Sequence, residues 1–235
     1  MMFSWKRMNA IFVKDYKDFS RNMAVSVVIF MVPVLAAVYG RMGLGFIESH
    51  YMLINMAFTM VATFVQSCLI AEEKEKNTLR GLMLSPASTA EILVGKSLLS
   101  FLLTVIVIGL SVFFVEYRPQ NIGIIMIAIF ISLCFYIGLG TLLGLYAKSV
   151  MEASVLVLPV MIIFSFGTFI TSLAEQYPIL QVANYLPNVQ LLEIAKEVEA
   201  GARFVDIYVN LGVIMIWVIT IFTLTTIIYR KRMVD

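Results

Sequence analysis

Histidine occurs once and cysteine twice among 235 residues, and charged residues make up only 14% of the chain. A soluble domain of this length would carry about 25% charged side chains. Cys68 and Cys134 fall inside apolar runs, so they read as reduced packing residues rather than as a disulfide. His50, beside Glu48, is expected in a solvated outer loop. No HExxH, no nucleophile elbow and no metal-spaced Cys/His set occurs, so neither a catalytic residue nor a metal ligand is expected. A net charge of +2 is too small to point to nucleic acid.

What is present is apolar: 61% of the residues are hydrophobic. Six runs, near 22–40, 51–71, 97–115, 122–146, 153–173 and 207–229, are long enough to cross a hydrocarbon core, which takes about 20 helical residues. Backbone N–H and C=O groups must be paired in lipid, so each run is expected to be a helix. The ten-residue alternation of a membrane barrel is missing. The expected fold is all-α with six transmembrane helices. The first run begins too late and is too long for a cleavable signal peptide. None of the six contains Asp, Glu, Lys, Arg or His at its middle. Such residues mark proton relays and catalytic pairs, so their absence argues against gradient-driven transport and an intramembrane enzyme. Sodium sites built from carbonyls and hydroxyls stay open.

The cations give the chain a direction. Thirteen of the 17 Lys and Arg lie in the N-terminal arm, in residues 72–96, at Lys148 and in the tail. The opposite side holds Arg41, Arg118, Lys196 and Arg203 against seven carboxylates. By the positive-inside rule both termini and residues 72–96 face the cytoplasm. In the arm, residues 1–21, a helical wheel puts Trp5, Met8, Phe12, Tyr16 and Phe19 on one face and Lys6, Lys14, Lys17 and Arg21 on the other, with Arg7 at the edge. This is the pattern of an interfacial amphipathic helix on anionic lipid, the alternative being a solvated helix on a soluble partner. The remainder, 22–235, is expected to be the membrane domain.

Some spans carry polar stripes. Asn55, Thr59, Thr63 and Gln66 fall within an arc of about 80° at 3.6 residues per turn. Ser165, Thr168 and Ser172 share a similar arc, with Ser154, in the fifth run. Such stripes face another helix or line a pathway, and both readings stand. Gly140 and Gly144 form a GxxxG pair suited to close helix approach. Pro33 and Pro159 lie mid-run. Ala90 to Ser97 ends in GKS, but the first glycine of a phosphate loop is replaced by Ala90 and no strand precedes it. Lys96 is expected instead on a helix, reaching back to the membrane surface.

The segment 72–96 interrupts the oily pattern. Glu72 and Lys76 can pair at i,i+4 in a solvated extension of the second span. Leu79, Leu82 and Met83 give a short apolar face, Pro86 ends it, and Ser88-Thr89-Ala90-Glu91 reads as a capping box that starts the next helix. Glu73-Lys74-Glu75-Lys76-Asn77-Thr78-Leu79-Arg80-Gly81-Leu82, then Ser85-Pro86, then Glu91-Ile92-Leu93-Val94-Gly95-Lys96, resembles the cytoplasmic signature of ABC-2 type transporter permeases, E-x-E-x-G-T-L-x-x-L…[ST]-P…E-[IL]-[IL]-x-G-K. Asn77 replaces the usual Gly and Arg80 the usual Glu, both on the polar side, where they bear on partner choice more than on fold.

The resemblance implies the membrane subunit of a bacterial ABC exporter in the plasma membrane. It implies pairing with a second permease subunit, a copy or a paralogue, among membrane lipids. Two separate ATPase subunits would hold ATP and Mg²⁺, with no cofactor in this chain. Glu73, Glu75, Thr78, Leu79, Leu82, Pro86, Glu91, Gly95 and Lys96 would form the ATPase-coupling segment, a cytoplasmic coupling helix between the second and third spans. Residues 174–206, with Asn184 to Pro187 and Val189 to Gly201, would form short re-entrant helices before the sixth span. The cargo expected is amphipathic or apolar (a drug, peptide antibiotic or lipid), an expectation to which 15 methionines add. Sodium or polymer export is not excluded. The alternative to transport is a sensor or scaffold that only docks an ATPase.

Overall fold

The computed structural model describes residues 4–78, 81, 88–167 and 178–234. Among them no strand occurs, and the elements are α1 (Trp5–Arg21), α2 (Met23–Arg41), α3 (Ile47–Ala57), a π-helical turn (Phe58–Thr63), α4 (Phe64–Glu75), α5 (Thr89–Phe114), α6 (Ile122–Tyr146), α7 (Val150–Ser165), a 3₁₀ helix (Pro178–Tyr185), α8 (Pro187–Glu199) and α9 (Tyr208–Val234).

From Ile47 to Glu75 the chain forms one rod of 29 residues, α3, the π turn and α4 in succession. This rod is the centre of the fold. Its most apolar window is 83% buried, against 22% for that of α9 at the periphery. Around it lie α5, α6, α7 and α8, while α1 and α2 lean on α5 and α9 on α6. Glycines set the closest approach. A Cβ on Gly140 would stand 2.5 Å from the Thr63 carbonyl oxygen, and one on Gly144 2.6 Å from that of Ser67. The GxxxG pair therefore seats α6 directly on the central rod, as its spacing predicts.

Four helical stretches among the described residues are long and apolar enough to cross a membrane: Ile47–Glu75, Glu91–Phe114, Ile122–Tyr146 and Tyr208–Tyr229. The pair α1–α2, bent by 80°, makes a fifth if counted as one span. Of the six expected runs, the first counts only within that bent pair, and of the fifth residues 168–173 lie outside the described residues. Helix α7 has 16 residues, and at 1.5 Å per residue it is about 24 Å long. The apolar helices expose large side chains outward: Phe30, Met31 and Val34 on α2, Ile106 and Phe113 on α5, Met126 and Phe130 on α6, Met151, Val155 and Ile162 on α7, Ile216 and Ile219 on α9. In water so broad an apolar surface would drive aggregation; in lipid it is solvated.

One expectation changes here. His50 is not a solvated loop residue: the helix begins at Ile47, and His50 is 7% exposed with its ring centroid 4.8 Å from that of Tyr117. On α1 the buried face is Met8, Ile11, Asp15 and Phe19, while Trp5 and Tyr16 of the expected apolar face are 72% and 54% exposed. Met8 and Phe19 of that apolar face pack inward together with Asp15, whose ion pairs are described below. Helix α8, by contrast, buries Leu191, Leu192, Ala195 and Val198 as its pattern predicts.

Candidate functional site

The central rod ends at a turn set by a single residue. Asn77 has φ of 54°, the left-handed region, where Asn and Gly are the residues tolerated at least cost. Its N–H donates to the Lys74 carbonyl at 3.0 Å and that of Thr78 to the Glu73 carbonyl at 2.8 Å, the paired bonds that close a helix C-terminus. The position thus answers to a backbone requirement that Gly and Asn both meet. Eleven residues on, α5 restarts with the expected capping box. The Ser88 hydroxyl accepts from the Glu91 N–H at 3.2 Å, and the Glu91 carboxylate accepts from the Ser88 N–H at 2.6 Å.

Between these two helix ends lies a buried ionic cluster. Lys96, 1% exposed, donates to Asp15 Oδ1 at 3.0 Å and to Glu73 Oε1 at 2.9 Å. Glu73 accepts also from Lys14 and from the Thr78 hydroxyl. The Glu91 carboxylate, fully buried, accepts from Arg7 at 2.9 Å and from the Ser4 N–H at 2.5 Å. Gly95 lies against α1, where a Cβ would come within 3.1 Å of Ile11 Cβ. Lys96 therefore does not reach back to the membrane surface. Nor is the Glu72–Lys76 stretch solvated throughout: Glu72 and Lys76 pair at 2.6 Å on the outside, while Glu73 is 4% exposed. The Lys96 ammonium, placed between two carboxylates, cancels part of their mutual repulsion and of the cost of burying charge. Burial still pushes the Asp15 carboxyl up to about 6, against the pull of Lys96.

Lys74 and Glu75 extend the cluster to two further helices. The Lys74 ammonium donates to the carbonyls of Leu145, at 2.7 Å, and Ala147, at the C-terminus of α6. Glu75 Oε2 accepts from the Val150 N–H at 2.9 Å, at the N-terminus of α7. Each charge meets the helix end of opposite partial charge. Of the residues expected to couple to an ATPase, Glu73, Thr78, Glu91, Gly95 and Lys96 thus converge on one joint, and Glu75 fastens it to α7. Leu79, Leu82 and Pro86 lie outside the described residues.

The polar stripe on the central rod is buried as well. Asn55, Thr59, Thr63 and Gln66 are each no more than 1% exposed. Thr59 and Ser165 share a hydroxyl bond of 2.8 Å, and the Thr63 hydroxyl donates to the Tyr136 carbonyl at 3.1 Å. The Gln66 amide donates to Thr141 at 3.0 Å and accepts from Ser100 at 2.8 Å. In this conformation the stripe joins helices of one chain, α5, α6 and α7. Thr168 and Ser172 lie outside the described residues.

Asp15 escaped the sequence reading. Its signal was there: a carboxylate at spacing 3, 4 and 4 in the row Met8, Ile11, Asp15, Phe19 is a charge on a buried face, and such a charge requires a cation. The π turn at 58–63 had no sequence signal. No group of acidic, His or Cys side chains among the described residues could hold a metal ion.

Residues 44–227 match the family described as ABC-2 family transporter protein. No curated protein matches the chain. Helices α1 and α2 precede the matched region, so the helix that grips Glu73, Glu91 and Lys96 lies outside it.

Proposed function

Because the chain belongs to the ABC-2 transporter family, a family of multi-pass membrane transport components rather than ATP-binding domains, we propose that it is the permease subunit of an ATP-driven exporter. In this reading α2, the central rod, α5, α6, α7 and α9 are the six crossings, α1 lies along the inner leaflet, and α8 dips back from the outer side. Both termini face the cytoplasm of a bacterial cell. Two such subunits, copies or paralogues, enclose the pathway; two ATPase subunits bind ATP and Mg²⁺ beneath them. Cargo is amphipathic or apolar.

The observation that carries this reading is the joint at Lys96. A permease with no Asp, Glu, Lys, Arg or His at the middle of its spans must receive work by contact, and contact transmits work only through a stiff element. The joint supplies stiffness: one ammonium ties α1 to the end of α4 and the start of α5. A displacement of the segment between residues 76 and 88 then moves α4 and α5 together. Lys74 and Glu75 hand the same displacement to α6 and α7. The polar stripe, buried at rest, is where such a movement would open the spans.

The test is co-purification with an ATPase, together with ATP-dependent cargo efflux. The chain alone is expected to hydrolyse no ATP. Changing Leu79 and Leu82 together to Asp is expected to abolish ATPase co-purification while leaving membrane insertion intact. Unchanged co-purification would remove the coupling role from the segment, and ATPase binding without flux of any cargo would favour a scaffold.

A further inference from the structure

At the Ile47 end of the central rod, His50 lies in the first turn of α3, buried, two residues after the exposed Glu48. Neither ring nitrogen has a partner among the described residues. A neutral imidazole carries one donor and one acceptor, so the ring is stored dry with both unmet. It rests on Tyr117, in the link between α5 and α6, at a centroid distance of 4.8 Å and a tilt of 37°. The Tyr117 hydroxyl donates to Glu199 Oε1, at the end of α8, at 3.1 Å, and stands 3.5 Å from the Tyr51 hydroxyl. Three elements therefore meet at one tyrosine, whose neighbours are an imidazole and a carboxylate.

The charges around the ring decide what a proton does there. On α3, Glu48 lies 3.4 Å from Lys196 of α8, which also meets Glu193 at 3.5 Å, so those three charges answer one another. The Glu197 carboxylate lies near those of Glu193 and Asp206. In the link, Glu116 and Arg118 flank Tyr117 and are exposed, and α2 ends here with Tyr39 and the exposed Arg41. Helices α5 and α7 carry their charges, Glu91, Lys96 and Glu152, at the opposite end of the rod. Glu199 is the carboxylate whose field acts on His50. Imidazole is the side chain that takes up a proton near neutrality. Once charged, the ring has two donors, and a dry cation needs an acceptor. We infer that His50 is a proton-operated latch: its imidazolium draws the Glu199 carboxylate from Tyr117 and frees the end of α8 from the link between α5 and α6. The other bond there, from the Gln120 amide to the Glu199 carbonyl at 3.0 Å, is exposed, and water can replace it. By the proposed function this end faces outside and the proton comes from the medium; the latch itself does not depend on that reading.

The experiment uses the full chain in detergent, with Cys68 and Cys134 replaced by Ala and spin labels attached through Arg118→Cys and Ala200→Cys, both at exposed positions. Distances between the labels are read at about pH 7.5 and about pH 5.5, a window over which an exposed imidazole goes from about a tenth to about nine-tenths charged. A second distance population is expected to grow several-fold at the lower pH. In His50→Phe and His50→Gln, neither of which takes up a proton, it is expected to stay at its higher-pH level throughout. In Tyr117→Phe, which removes the hydroxyl that holds Glu199, it is expected to be raised at both pH values. Distances in the labelled chain that do not respond to pH overturn the latch. A response that survives both His50 variants overturns it as well, and assigns the movement to the surrounding carboxylates.

Discussion

Lys96 is the residue on which the junction of α1, α4 and α5 depends. It is 1% exposed and serves two carboxylates, at 3.0 and 2.9 Å. Removing one member of a buried ionic set leaves its partners charged and dry, at a cost of about 3–5 kcal/mol. A hydrogen bond between membrane helices averages about 0.6 kcal/mol, so no single bond of the polar stripe matches it. Lys96→Met is expected to lower the melting temperature of the purified chain more than Thr63→Val or Ser100→Ala. The Asp15→Asn/Glu73→Gln background, which removes the charges Lys96 answers, is expected to shrink that loss. A melting-temperature change for Lys96→Met no larger than for Thr63→Val would show that the ammonium is solvated. From the sequence, Lys96 was marked for its place in the signature but aimed at the wrong surroundings. Nothing local distinguishes a lysine that reaches back to the interface from one that turns in; its partners, 81 and 23 residues away, decide.

The helices themselves were largely legible. Apolar length set α2, α3–α4, α5, α6 and α9 close to their observed bounds, and the Ser88–Glu91 box fixed the start of α5, because these signals are local. The Gly140/Gly144 spacing also gave the right contact. Its partner was not readable, since a four-residue spacing says that a backbone comes close and not whose. With the Thr63 and Ser67 carbonyls 2.5 and 2.6 Å from where side chains would begin, Gly140→Val and Gly144→Val are each expected to push α6 off the central rod. Thermal denaturation is expected to show a loss of at least about 1–3 kcal/mol, the scale of overpacking in a dense core. Retained stability in both would mean that α6 can slide, and would place the tight contact elsewhere. On α1 Asp15 turns inward with Met8, Ile11 and Phe19 while Trp5 and Tyr16 stay exposed; a helical wheel that ranks faces by hydrophobicity does not find the buried carboxylate.

At the scale of the whole molecule, the two readings of the polar stripe become a question about states. Thr63 and Gln66 are sealed within one chain in the conformation described. In a chain with Cys68 and Cys134 replaced by Ala, Thr63→Cys and Gln66→Cys are expected to resist membrane-impermeant thiol reagents at rest and to react during ATP turnover with the ATPase bound. Inertness in both conditions would assign the stripe to packing alone. The class of the molecule, an all-helical membrane protein of a transport family, follows from composition and one 25-residue segment. How the parts lock together does not, because the lock joins residues 4–15, 73–78 and 88–96 across the fold.

The π turn at Phe58–Thr63 gives the central rod a property that an unbroken α-helix lacks. A wide turn accommodates one residue more than its neighbours, and each α-helical residue advances the winding by 100°. Tightening that turn to α geometry would spin the half of the rod that ends at Glu75 by about 100° relative to the half that begins at Ile47 without melting either. Gln66 would then swing away from Thr141 and Ser100, while Asn55 stayed where it is. A swivel of that kind would let a twist applied at the Glu75 end change which side chains the rod presents to its neighbours, leaving the Ile47 end undisturbed.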